Sequence, residues 1–175
     1  MPEGVRVDEA AAFNALPADR LGDDLRACCA APAWGARIAA GRPYPDRAAI
    51  MAAGDAASRA LSWDEVLEGL SAHPRIGERA AGDSAEAAWS RREQADAARS
   101  ADDGTRAALV AANRAYEERF GHVFLIFASG RSQGEILAAA RQRLGNDEAA
   151  ERPVVAEELR RIALLRLERL LDALG

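Results

Sequence analysis

Apolar residues recur every three or four positions along most of the chain, and residues that cap or break helices stand between these stretches. This spacing places one apolar stripe on each helix, and the alternation typical of a half-buried strand is missing. Much of the 49% apolar content is alanine, a strong helix former, while β-branched and aromatic residues are few. We therefore expect an all-α fold, a compact bundle of roughly eight or nine helices.

The length of 175 residues suits one hydrophobic core, so residues 1–175 are expected to form a single domain. Ser62 with Glu65 and Ser132 with Glu135 have the spacing of a capping box, which begins a helix. Longer helices are expected over about 84–100, 105–120 and the last 25 residues or so, with an extended apolar run at 123–127. Gly121 suits the left-handed position after a helix, and Pro153 is expected to disturb the start of the last one. Further breaks are expected at Pro17, Gly22, Pro32, Gly41-Arg42-Pro43, Pro45 and Asp102-Asp103-Gly104.

The charge and the cysteines limit the classes of partner. A formal net charge of -5 argues against a nucleic-acid partner, since such proteins present a concentrated basic face. No apolar run approaches the roughly 18 residues of a membrane span, and the N-terminus has no signal-peptide pattern. Cys28 and Cys29 are adjacent, so we expect buried thiols rather than a disulfide. These features predict a soluble, cytoplasmic protein.

The chain has no lysine, because all 23 of its Lys and Arg residues are arginines. Without lysine there is no Schiff base to a carbonyl substrate and no internal aldimine of pyridoxal phosphate. Any carbanion that the protein stabilises must therefore be stabilised by other means.

Several polar residues are predicted to lie on apolar helix faces, where an unpaired polar group is unfavourable. Ser90, Glu93 and Gln94 share one face of their helix, which indicates either a ligand site or an ordinary solvated surface. Arg166 falls inside the apolar arc of the last helix, so it needs a partner: a substrate carboxylate, or a core carboxylate such as Glu93. His73 precedes Pro74 and should project from a turn, either as an acid/base group or as a structural residue.

Two further polar residues favour structural roles. Asn113 shares a helix face with Leu109, Tyr116 and Phe120, and a buried asparagine commonly holds a loop by hydrogen bonds to its backbone. His122 has no obvious polar partner in the sequence.

The order and spacing of these residues resemble those of the OHCU decarboxylases (2-oxo-4-hydroxy-4-carboxy-5-ureidoimidazoline decarboxylases) over nearly the whole chain. The motifs that carry the resemblance are Cys28-Cys29, Trp34, Arg42-Pro43, His73-Pro74-Arg75-Ile76-Gly77, Ser90-x-x-Glu93-Gln94, Asn113-x-x-Tyr116-x-x-Arg119-Phe120-Gly121, Phe124-Leu125-Ile126, Gly130-Arg131-Ser132, Leu144-Gly145-Asn146-Asp147 and Leu165-Arg166-Leu167.

The resemblance implies an all-α homodimer that needs neither metal nor organic cofactor and converts OHCU to (S)-allantoin, the last step of urate breakdown to allantoin. It implies that His73 is the catalytic acid/base and that Glu93 is its carboxylate partner. It also implies that Arg166 binds the substrate, although Arg161 nearby could match the same family position. The implied substrate-binding residues are Pro74, Ser90, Gln94, Leu125, Ile126, Phe127, Ala128 and Ser129.

Two other functions remain open at this point. A non-catalytic helical module would bind a partner with its last helix and pair Arg166 within its core. A related enzyme would act on another ureido or β-imino acid, with specificity set by loops such as 80–83. A pocket that brings His73, Glu93 and Arg166 within reach of one ligand would count against the helical module.

Overall fold

The computed structural model describes residues 8–75, 85–100 and 102–175, with side chains described for 86–95 of the middle range. The predicted loop at 80–83 lies outside these residues. The described chain is helical, without strands, and no helix in it is long and apolar enough to cross a lipid bilayer. Its nine helices are α1 Glu9–Ala15, α2 Ala18–Cys28, α3 Pro32–Ala40, α4 Arg47–Arg59, α5 Trp63–Leu70, α6 Ala85–Ser100, α7 Asp103–Phe120, α8 Gln133–Leu144 and α9 Glu148–Leu174.

Both predicted capping boxes are confirmed at the starts of α5 and α8. Ser62 Oγ accepts a hydrogen bond from the Glu65 N–H at 3.2 Å, and Glu65 Oε1 accepts one from the Ser62 N–H at 2.9 Å. Ser132 and Glu135 repeat the arrangement in α8. Gly121 follows α7 with a φ of 77°, the left-handed conformation that glycine adopts without strain. The starts of α5 and α8 and the end of α7 therefore lie where these local signals predicted them.

The predicted break at Gly22 is wrong, and the break at 102–104 is shorter than predicted. Leu21 and Leu25 bury one face of α2 on either side of Gly22, and this packing outweighs the low helix propensity of glycine. In the other segment only Asp102 precedes the helix, and its carboxylate accepts a hydrogen bond from the Thr105 N–H at 2.6 Å. Asp103 and Gly104 already belong to the first turn of α7.

Pro153 lies inside α9 and does not delimit it. The helix begins at Glu148, capped by Asp147, and continues through Pro153 to Leu174. A proline near the N-terminus of a helix removes only one intrahelical N–H donor, and the buried stripe that follows stabilises the helix.

The core has two parts, one around α9 and one between α7 and α8. Helix α9 packs against α1, α2, α4 and α5, and α7 packs against α8. The extended segment 124–128 lies where the two parts meet. Its side chains alternate, with Leu125 and Phe127 against the α9 cluster and Phe124, Ile126 and Ala128 in the α7–α8 cluster. An extended chain directs successive side chains to opposite sides, so this segment joins the two clusters.

Candidate active site

Glu93 and Arg166 form a buried ion pair between α6 and α9. Arg166 Nε donates to Glu93 Oε1 at 3.0 Å, and Nη2 donates to Oε2 at 3.2 Å. The same Nη2 donates to Ser90 Oγ at 3.1 Å, and Nη1 donates to the carbonyl of Ala27 on α2 at 3.2 Å. The exposed fraction is 8% for Glu93 and 1% for Arg166. The predicted inward position of Arg166 is confirmed, Glu93 is buried and not on a solvated surface, and the carboxylate partner that the sequence left open for Arg166 is Glu93.

The packing of α9 explains why Arg166 is inside. The predicted apolar arc is buried along its whole length: Val155, Leu159, Ile162, Ala163, Leu167 and Leu170. Arg166 lies within that arc, so its guanidinium cannot reach bulk water and must be neutralised inside the protein. Arg161 is exposed and pairs with Glu157 at 3.3 Å. The geometry therefore favours Arg166 over Arg161 as the arginine of the site.

Two further charged residues, Glu86 and Arg169, surround this pair. Glu86 lies 3.9 Å from Arg166 Nη1, and Arg169 Nη1 lies 3.5 Å from Glu93 Oε1. Burial raises the pKa of Glu86; the charge of Arg166 lowers it, and that of Glu93 raises it further. Sequence reasoning missed both residues. Glu86 precedes Ser90 by four positions and Arg169 follows Arg166 by three, so helical spacing contained the signal.

His73 lies in the turn after α5, as predicted. Its backbone N–H donates to the carbonyl of Leu70 at 3.0 Å, and the side chain is half-buried. Although part of its surface remains accessible, burial lowers the pKa of the imidazole to about 3, and the positive charge of Arg166 contributes. The ring is therefore neutral near pH 7 and can accept a proton. Within the described residues it makes no hydrogen bond to Glu93 or Arg166.

His73 and Pro74 line a cavity of about 520 Å³. The other lining residues are Leu70, Ser71, Arg75, Glu117, Gly121, His122 and Val123. Glu93 and Arg166 are not among them, so this cavity does not bring the three residues together around one space. Arg75 and Glu117 form an ion pair at its wall, with 2.6 Å between Nε and Oε1.

His122 packs against the rings of Trp63, Tyr116 and Phe120. Its Nδ1 lies 3.2 Å from the carbonyl of Val123. These contacts agree with the structural role that the sequence favoured.

The segment Leu125–Ser129 is held by side chains from two helices. The carbonyl of Leu125 accepts a hydrogen bond from Arg143 Nη1 at 2.6 Å, and the N–H of Phe127 donates to Glu158 Oε2 at 2.9 Å. Among the described residues, the N–H groups of Ile126, Ala128 and Ser129 have no hydrogen-bond partner. The backbone of the segment is therefore fixed at Leu125 and Phe127. Of the other predicted binding residues, Ser90 is buried and Gln94 is half-buried on the same face of α6.

Sequence reasoning also missed a buried polar network that includes Arg143 and Glu151. Glu151 Oε1 accepts hydrogen bonds from Tyr116 Oη at 2.7 Å and Arg143 Nε at 2.6 Å, and Oε2 accepts one from Asn146 Nδ2 at 3.0 Å. Glu151 precedes the buried Val155 by four residues, so the helical spacing again contained a signal. Asn113 is also buried on α7.

Both cysteines are buried thiols, as predicted. Burial raises the pKa of both, that of Cys29 to about 11, so they are protonated at neutral pH. In the described part of the chain, no group of three or more His, Cys, Asp or Glu residues is arranged to hold a metal ion.

Comparison with known proteins relates this chain to one family. The family model for OHCU decarboxylase matches residues 14–168. The uric acid degradation bifunctional protein TTL of Arabidopsis thaliana is 30% identical over 151 residues, which are 85% of this chain and 46% of the relative. The 2-oxo-4-hydroxy-4-carboxy-5-ureidoimidazoline decarboxylase of Amia calva is 42% identical over 67 residues, 38% of each chain. The chain thus spans less than half the length of these curated relatives.

Two crystal structures have the same fold. An OHCU decarboxylase crystallised in the presence of (S)-allantoin superposes with a TM-score of 0.73 at 28% identity, covering 86% of this chain and 98% of the other. An (S)-allantoin synthase superposes with a TM-score of 0.69 at 19% identity, covering 93% and 54%, which supports the fold alone. Since the family model covers most of the sequence, the chain belongs to the OHCU decarboxylase family.

Proposed function

We propose that the chain decarboxylates OHCU to (S)-allantoin, the last step of urate breakdown to allantoin, and that it does so without a metal or an organic cofactor. Membership of the family supports the reaction. The observation that carries the proposal is the buried Glu93–Arg166 pair, because the charge of Arg166 adds to the burial that lowers the pKa of the His73 imidazole. The proposed scheme uses these three groups: the imidazole as proton acceptor, the Glu93 carboxylate and the Arg166 cation.

The substrate supplies its own electron sink. When the bond between C4 and its carboxylate breaks, carbon dioxide leaves and the electron pair forms a double bond between C4 and C5. The electrons of the former C5=N bond move to nitrogen, which takes a proton from solvent. The remaining enol then loses its hydroxyl proton as C5 gains one. A chain without lysine can therefore promote this reaction by orientation and fixed charge alone.

His73 is the group that moves the proton in this scheme. The lowered pKa keeps the imidazole neutral but makes it a weak base, so in this scheme it takes the hydroxyl proton only as the C4 carbonyl forms and passes it to one face of C5. Delivery to a single face gives one enantiomer of allantoin. Because protonated His73 is disfavoured by its surroundings, it is a strong acid at the moment of donation.

Glu93, Arg166 and the remaining predicted residues orient the substrate. Arg166 fixes the Glu93 carboxylate through two hydrogen bonds, and Glu93 assists the transfer of the hydroxyl proton. A direct contact between Arg166 and the substrate, which the family resemblance implies, would use Nη1, which among the described residues donates to the Ala27 carbonyl and lies 3.9 Å from Glu86 Oε1. Pro74, Ser90, Gln94 and the segment Leu125–Ser129 form the binding surface in this proposal.

The test is to mix the purified protein with freshly generated OHCU and to follow allantoin by circular dichroism. We expect rapid formation of optically active (S)-allantoin, and its loss in His73→Ala with the helical spectrum unchanged. In Glu93→Gln, turnover should fall about 100-fold or more if Glu93 acts in proton transfer. Racemic product at the uncatalysed rate, or near-normal turnover in His73→Ala, would contradict the proposal.

One observation favours a second candidate, a non-catalytic helical module. Such a module pairs Arg166 within its core, and Arg166 pairs with Glu93 here, while neither residue lines the cavity at His73. The same assay separates the two, because the module would leave the decay of OHCU unchanged. A relative with altered specificity would also leave the uncatalysed decay of OHCU unchanged, but it would accept another ureido or β-imino acid.

We further propose that the protein acts as a homodimer in the cytoplasm, as the family resemblance implies. Sedimentation of the purified protein at micromolar concentration measures the first point, and a monomer would refute it.

A further inference from the structure

The guanidinium of Arg166 has little capacity left for a substrate. Its Nε and Nη2 bind both oxygens of Glu93, Nη2 also binds Ser90, and Nη1 binds the Ala27 carbonyl. A second carboxylate cannot form a bidentate pair with this group unless Glu93 is released. Release would leave a buried carboxylate unpaired, which is strongly unfavourable.

Arg169 lies one helical turn further along α9, and its guanidinium has fewer partners than that of Arg166. Its side chain is 19% exposed, and within the described part of the chain its one ion-pair partner is Glu93 Oε1, at 3.5 Å. That oxygen already accepts a shorter bond from Arg166 Nε. Among the described residues, the other donors of Arg169 thus have no protein acceptor, although the side chain is largely withdrawn from water.

The surroundings of Arg169 disfavour its charge. Burial lowers the pKa of the guanidinium, Glu93 opposes that effect, and the positive charges of Arg92 and Arg166 lower the pKa further. An arginine keeps its proton nonetheless, so Arg166 and Arg169 bring two positive charges beside the carboxylates of Glu93 and Glu86. A bound anion next to Arg169 would offset the burial and the repulsion that disfavour its charge.

We propose that Arg169 binds the carboxylate of the substrate while Arg166 holds Glu93. The inference rests on the proposed function, since OHCU carries a carboxylate that allantoin lacks. The shared contact with Glu93 Oε1 places this anion site next to the carboxylate that assists proton transfer in the proposed function. The negative charge leaves the carboxylate as carbon dioxide forms, so the contact is stronger with bound substrate than in the transition state. Loss of Arg169 should therefore raise KM without lowering kcat.

The experiment compares Arg169→Gln and Arg169→Lys with the wild type. Arg161→Gln is the matched control, because it removes the same charge from an exposed position of the same helix. Calorimetry measures the binding of two stable probes: allantoate, a ring-opened ureido acid that carries a carboxylate, and allantoin, which is neutral. Turnover of fresh OHCU is measured in parallel on the same four proteins.

We expect Arg169→Gln to weaken allantoate binding about tenfold or more, the scale of a charge-assisted hydrogen bond, and to raise the KM for OHCU similarly. Lysine at this position should restore part of the affinity, and allantoin should bind the variants and the wild type alike. Equal allantoate affinity in wild type and Arg169→Gln, including no binding by either, would overturn the proposal. So would an equal loss for both probes, because it would mean that Arg169 acts through Glu93. Binding of allantoate that depends on Arg169, without turnover of OHCU, would support the anion site and refute the proposed function.

Discussion

Replacing Glu151 by alanine should destabilise the protein far more than its distance from the proposed chemistry suggests. Glu151 is 1% exposed and neutralises Arg143, which is 6% exposed, with 2.6 Å between Oε1 and each of two guanidinium nitrogens. Removing one partner of a buried pair leaves the other charge uncompensated, at about 3–5 kcal/mol. Tyr116 and Asn146 would lose their acceptors as well. We take about 3–5 kcal/mol as the expected loss, because these contributions overlap and do not add.

That loss is a large fraction of the roughly 5–15 kcal/mol by which a domain is stable. It corresponds to a decrease in Tm of roughly 6–20 °C for a chain of this size. Urea unfolding followed by far-UV circular dichroism measures it directly. Glu148→Ala is the control, because Glu148 is exposed and pairs with Arg152 one turn later; we expect a loss under about 1 kcal/mol.

A double variant distinguishes loss of the pair from loss of packing. Arg143→Met combined with Glu151→Met removes both charges at similar volume, and it should be more stable than Glu151→Ala. A Glu151→Ala variant within about 1 kcal/mol of the wild type would refute the reasoning, since no buried unpaired arginine costs so little. Arg143 also holds the Leu125 carbonyl, so we expect the KM for OHCU to rise in variants that still fold.

The remaining predictions concern His73 and two glycines. The ring signals of His73, assigned by comparison with His73→Gln, should not titrate between about pH 8 and pH 5, because its pKa is lowered to about 3; a midpoint near 6.5 would contradict this. The unfolded chain then binds a proton that the folded chain does not, so this residue lowers stability as the pH falls from its ordinary pKa toward 3. Gly54→Ala should destabilise by about 1–3 kcal/mol, because a Cβ there lies 2.7 Å from Cδ2 of the buried Leu167. Gly22→Ala should stabilise by about 0.4–1 kcal/mol, as a Cβ meets nothing within 4 Å; equal urea midpoints for the two variants would show that this packing argument fails.

The sequence predicted the parts of this fold that depend on local chemistry. The capping boxes at Ser62 and Ser132 and the glycine at 121 act within a few residues, so their geometry is contained in the local sequence. Gly22 shows the limit of this reasoning. Glycine propensity favours a break, but burial of Leu21 and Leu25 against other helices decides the outcome.

The sequence predicted which residues belong to the candidate site better than it predicted the contacts between them. Helical spacing placed Ser90 and Glu93 on one face and Arg166 in an apolar arc, and all three are buried together. It could not show that Glu158 on α9 would bind the Phe127 N–H, because that contact joins residues 31 positions apart. Contacts between distant segments depend on how helices pack, which the pattern within one helix does not encode.

The position of the buried charges links stability to the proposed chemistry. Both buried ion pairs use α9, Glu151 near its start and Arg166 near its end, and each holds an element of the proposed site. Through Arg143, Glu151 fixes the carbonyl of Leu125, and Arg166 fixes the carboxylate of Glu93. Apolar residues of similar volume would often stabilise a core as well as such pairs do. Their presence is therefore better explained by the groups that they orient than by the stability that they add, and variants such as Arg143→Met with Glu151→Met should keep the fold while losing substrate affinity.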